Sequence, residues 1–111
     1  MRIRFFKQIM NALSAINALS DEIGQSELEH VQELTYYIVF GAGTSAGAVQ
    51  AETAHVPAYT GTWAPEGSPV AWIAADRVHK VSISGASYVG RCRISTGIVG
   101  GTVSIWALAR G

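Results

Sequence analysis

With 111 residues, the chain has room for one domain, or for a small domain with an appendage. It is 49% apolar and only 14% charged, which excludes a disordered chain and a long solvated helix. Eight basic and eight acidic residues cancel, which argues against a generally basic nucleic-acid binder.

Residues 1–33 read as a helical arm. Met1 to Ser20 is basic and then partly apolar, as a secretory leader would be, but Gln8, Asn11, Ser14 and Asn17 break the continuous apolar run that a leader needs. Phe5, Ile9, Ala12, Ile16, Leu19 and Ile23 recur at steps of four and three, the spacing of a heptad seam. The spacing predicts a helix from about Arg4 to Ser20, roughly 24 Å long at 1.5 Å per residue. Phe5, Ile9, Ile16, Leu19 and Ile23 are then the candidate oligomer or partner interface. Gly24 interrupts the helix, and Ser26 with Glu29 fits a capping box for a second turn over residues 27–32. Arg2, Arg4 and Lys7 form a basic tip, and Asp21, Glu22, Glu27, Glu29 and Glu33 an acidic collar.

From Leu34 the period becomes two, and residues 34–111 read as an antiparallel β domain. Leu34–Phe40 is apolar on both faces, as in a central or covered strand. A glycine-rich connection follows, lacking the lysine of a phosphate-binding loop. Further strands are expected at Val49–Thr53, Tyr59–Trp63, Val70–Ala74, Val78–Ser84, Tyr88–Ser95 and Thr102–Leu108, with a turn over Ala64–Pro69 and another over Gly97–Gly101. Tyr88, Cys92 and Ile94 should face inward; Val89, Arg91 and Arg93 should face outward. About seven short strands separated by Gly, Ser and Pro turns indicate an antiparallel sandwich or barrel, because parallel crossovers would need intervening helices. A strand region this small gains from burying more apolar surface in a homo-oligomer.

No catalytic constellation emerges. His30, His55 and His79 fall in three different elements, and none has a second ligand at metal-binding spacing. A single cysteine, Cys92, makes no internal disulfide, and its inward parity indicates an inert thiol. Glu52, Glu66 and Asp76 are the carboxylates of the β region, too few and too isolated to indicate a glycosidase. No cofactor or metal is expected. No apolar run reaches the ~20 residues of a membrane span. Lys80, Arg91 and Arg93 share an outward parity and form, with the outward Trp106, a candidate partner-binding face. Serines rather than aromatics accompany Lys80, which disfavours nucleic acid.

The order of the β region carries a resemblance. Gly47-Ala48-Val49-Gln50-Ala51-Glu52 is followed by Tyr59-Thr60-Gly61-Thr62-Trp63 and a Pro/Gly turn. Tyr88-Val89-Gly90-Arg91-Cys92-Arg93-Ile94 and Gly100-Gly101-Thr102-Val103-Ser104-Ile105 come next. This order, over roughly residues 45–108, is similar to small β-sandwich proteins of tailed-bacteriophage virions, among them capsid decoration (cement) and head-fibre proteins. The resemblance implies a non-enzymatic virion structural protein. It would be a homotrimer made in the host cytoplasm, bound to the major capsid protein on the outer capsid surface. The alternative it leaves open is a tail-fibre, head-fibre or baseplate module that binds host-surface carbohydrate through Trp63, Trp72 or Trp106.

Overall fold

The structure, a computed structural model, describes residues 2–24, 31–74, 77–84 and 89–111. These residues are mainly β-strand, arranged in two antiparallel sheets: β1 (Ile3–Leu13), β2 (Glu33–Phe40), β3 (Ala46–Ala54), β4 (Ala64–Pro65), β5 (Val70–Ala71), β6 (Val78–Ser84), β7 (Val89–Val99) and β8 (Val103–Arg110). The first sheet has the order β1-β8-β2-β6. In the second, β3 pairs with β7 on one edge and with the short β4 and β5 on the other.

The helical arm is not formed. Residues Ile3–Leu13 are instead an edge strand paired with β8, from Ile3 opposite Arg110 to Leu13 opposite Val103. The chain ends are tied together by two hydrogen bonds between Arg2 and Gly111, of 3.0 and 2.9 Å. The reason is energetic. A lone helix fixes a costly nucleus and buries only one stripe, whereas β1 satisfies its backbone on an existing strand. The apparent heptad runs across two different segments: Phe5, Ile9 and Ala12 lie on β1, where a register shift between Gln8 and Met10 accompanies burial of the consecutive Ile9 and Met10, and Ile16, Leu19 and Ile23 lie beyond its end. After a turn at Ala15–Asn17, where Asn17 takes φ 67°, the chain crosses to the second sheet. There Leu19 bridges Arg93 and Ile23 bridges Gly90 along the free edge of β7. The first 24 residues therefore close one side of both sheets. The helical turn expected over residues 27–32 falls largely outside the described residues.

The central position expected for Leu34–Phe40 is observed: β2 lies between β8 and β6. Two expected strands are shorter or displaced. Tyr59–Trp63 is a loop, held by the Trp63 Nε1–H donating to the Tyr59 carbonyl at 2.8 Å, and pairing starts only at Ala64–Pro65, where a turn was expected. Of Val70–Ala74, only Val70–Ala71 pairs. Conversely, β7 runs through Gly97 to Val99, leaving a tighter turn at Gly100–Gly101. That turn packs against the β2–β3 connection closely enough that a Cβ on Gly43 (φ 85°) would stand 2.8 Å from the Gly100 carbonyl oxygen.

The apolar faces of the two sheets share one core. Tyr36, Ile38, Phe40, Val103 and Ile105 come from the first sheet, and Val49, Ala51, Cys92 and Ile94 from the second. Ile9, Met10 and Ile23 belong to the same cluster. Val89, expected outward, is fully buried. The sheets approach closely at Gly90, where a Cβ would lie 2.6 Å from the Tyr36 hydroxyl oxygen.

Candidate interaction face

The strand registers of the first sheet align four outward side chains in one row: Gln8, Trp106, Tyr37 and Lys80. A second row runs Phe6, Leu108, Thr35 and Ser82. Val39 and Val78 extend the apolar surface on the β2–β6 side. Side chains alternate across a strand, so all of these point away from the core. Leu108 is buried yet stands apart from the core cluster, covered on the outer face by its neighbours. Phe6 and Tyr37 meet edge to face across β8, with ring centroids 6.5 Å apart. Phe6 and Val78 are both 58% exposed, and Trp106 and Tyr37 half-buried. The result is an apolar, aromatic face on rigid strands, open to solvent.

The expected basic face divides between the sheets. Lys80 and Trp106 lie on the outer face of the first sheet. Arg91 and Arg93 lie on β7, in the second sheet, where they are engaged in a different task. Arg91 Nε donates to Glu52 Oε1 at 3.1 Å and Arg93 Nε to Glu52 Oε2 at 3.0 Å. The β3–β7 register sets Glu52 opposite Arg91 and Gln50 opposite Arg93. The Arg91 guanidinium also lies over the Trp63 ring, 3.9 Å from its centroid, and Arg93 Nη1 donates to Asn17 Oδ1. Gln50 Nε2 donates to the carbonyls of Ala51, Glu66 and Gly67. This cluster pins the 55–67 loop and the Asn17 turn onto the second sheet. Trp63 is buried beneath Arg91 and presents no free ring face to a sugar.

The expected seam also divides. Ile9 and Ile23 are buried in the core and Phe5 packs against it, so none of the three forms an exposed seam. Ile16 and Leu19 are exposed, on the segment that crosses between the sheets.

Three titratable groups are shifted by their surroundings. Burial pushes the Cys92 thiol far up, with the Glu52 carboxylate adding to the shift. Burial also raises the Tyr36 phenol well above its usual range, and its hydroxyl has no hydrogen-bond partner among the described residues. His79 is lowered by burial, with a contribution from Arg77, and its ring sits edge to face against Phe40. Among the described residues, no group of three or more His, Cys, Asp or Glu side chains could hold a metal ion, and no helix is long and apolar enough to cross a membrane.

Neither a protein-family model, nor a curated protein, nor a solved structure matches the chain. The candidate face is therefore described by its geometry alone. Parity placed Trp106 and Lys80 outward, as observed, and did not single out Phe6 and Tyr37 beside them. Phe6 was hidden by the helical reading of its segment, and Tyr37 by the two-sided apolar pattern of β2. It also missed the Glu52 pairing, because only the β3–β7 register reveals it.

Proposed function

We propose that this protein is a non-enzymatic structural component of a tailed-phage virion. In this reading it is a capsid decoration protein whose two sheets pack as a β-sandwich. It binds the major capsid protein on the outer capsid surface as a homotrimer, through the outer face of the first sheet. The observation that carries the reading is the Gln8–Trp106–Tyr37–Lys80 row with Phe6, Val39 and Val78 around it. A contiguous exposed apolar patch on a strand scaffold marks an interaction surface. Large aromatic side chains are the residues that anchor protein interfaces. Many copies of a modest interface add up on a lattice, which suits a protein of this size.

The test is co-sedimentation of the full chain with purified capsid shells that lack a decoration protein. Wild type pellets with the shells, and Trp106→Asp stays in the supernatant. Wild type that remains in the supernatant at saturating concentration contradicts the reading.

A second reading has a specific observation in its favour. Trp106 and Tyr37 stand side by side in register, flanked by the polar Gln8 and Lys80, an arrangement on which a sugar ring can stack. Under that reading the module binds host-surface carbohydrate. A glycan array probed at high protein concentration separates the two, because a decoration protein leaves it blank.

A further inference from the structure

We infer that the outer face of the first sheet docks a protein surface that is apolar at its centre and fringed with carboxylates. The inference rests on the docking role proposed above and specifies the chemistry of the partner.

Charge complementarity identifies that chemistry. The chain is neutral overall, but its charges are unevenly placed. Of the described carboxylates, Asp21 and Glu22 lie on the segment along β7, Glu52 is on β3 and Glu66 follows β4. Only Glu33 belongs to the first sheet, where it is already 3.6 Å from Arg110 Nη1. The first sheet also carries Lys80 at one end of the aromatic row, exposed and with no carboxylate partner among the described residues. Arg4 is exposed near the start of β1, and Arg2 just precedes it, at the end of the sheet where Ile3 pairs with Arg110. Among the described residues, the aromatic surface thus has cations at its rim and no carboxylate other than the paired Glu33.

Such a face selects its partner in two steps. The basic rim attracts and orients an acidic surface and repels a basic one. The aromatic centre then excludes water, and little conformational entropy is lost because Phe6, Tyr37 and Trp106 are held on paired strands. A second copy of this chain would bring cations against cations at the rim, which disfavours face-to-face self-association.

The experiment is an NMR titration of the full chain with two synthetic peptides, one alternating leucine and glutamate and the other alternating leucine and lysine. The acidic peptide is expected to shift the amides of Phe6, Tyr37, Lys80 and Trp106 saturably, and the basic peptide to leave them in place. Lys80→Glu should weaken the acidic peptide about tenfold and admit the basic one, since a rim charge acts by sign. Added salt should weaken the acidic peptide further. A merely structural lysine would not exchange preference with sign. Equal response to both peptides, or no response to either at millimolar concentration, overturns the inference. So do shifts that track protein concentration alone, which would identify a second copy. Shifts produced by a chitin oligosaccharide and by neither peptide also overturn it. Failure here with shells still bound leaves the docking role standing. Peptide binding without shell binding removes the capsid role and leaves the chemistry of the face intact.

Discussion

Removing residues 1–33 should unfold this protein rather than detach an arm from it. Ile9 and Met10 are 3% exposed and Ile23 is fully buried. At ~1.5–3 kcal/mol for each large apolar side chain buried, their loss amounts to roughly 5–9 kcal/mol. That is comparable to the whole stability of a small domain, about 5–15 kcal/mol. The deletion also strips β1 from the edge of β8 and the Leu19–Ile23 bridges from β7, leaving both strands with an unpaired side. Ile23→Ala isolates part of the effect and should cost about 2–5 kcal/mol as a cavity in the core. The assay is urea unfolding of the full chain, the chain starting at Leu34, and Ile23→Ala, followed by circular dichroism. The shortened chain should show no cooperative transition. A cooperative transition with an unchanged midpoint, together with a helical signal that disappears on truncation, would refute the reasoning.

Three further outcomes follow from the packing. Gly90→Ala should destabilise the protein by about 1–3 kcal/mol by overpacking against the Tyr36 hydroxyl; Tyr36→Phe should restore most of that loss, as a double-mutant cycle in urea will show. Glu52→Gln removes the carboxylate that two arginines share and should cost about 3 kcal/mol by thermal or urea unfolding, near the low end for a broken buried ion pair because Arg93 keeps some solvent. His79 should make stability fall with acidity. Its folded pKa is lowered, so its contribution is complete above the unfolded value of 6.5 and is lost as pH falls through the lowered folded one. Subtracting the urea midpoints of His79→Gln from those of wild type between pH 8 and pH 4 should reveal that loss. A flat difference would remove His79 as its source.

The β part of the fold was legible where a strand follows one pattern. The apolar run of β2 announced a central strand, and the alternation of Val81 and Ile83 with Lys80 and Ser82 gave β6 its faces. The first segment was misread because one apolar spacing runs across two segments with different surroundings. Ile9 and Met10 are adjacent and both buried on β1, which interrupts the period of two, and Ile16, Leu19 and Ile23 lie past its end, the first two exposed and the third buried. Val89 keeps the regular β3–β7 register opposite Ala54, at the end of that ladder, yet is fully buried, so parity alone did not predict its surroundings.

The outer face of the first sheet was legible residue by residue and not as a surface. Trp106 and Lys80 were correctly turned outward, but parity says nothing about which strands are neighbours. Lys80 could be joined to Tyr37 and Trp106, and separated from Arg91 and Arg93, only once the strand order was known. Glu52 illustrates the same limit. Its role depends on Arg91, 39 residues away, and on a register that no local pattern encodes.

The most direct test of the central claim is hydroxyl-radical footprinting of the full chain, alone and bound to capsid shells, read by mass spectrometry. The account predicts that Phe6, Tyr37 and Trp106 are oxidised in the free protein and protected on the shells, while Tyr59, near the second sheet, reacts equally in both. Unchanged oxidation of Trp106 with protection of Tyr59 would place the contact on the opposite side of the molecule and contradict the account.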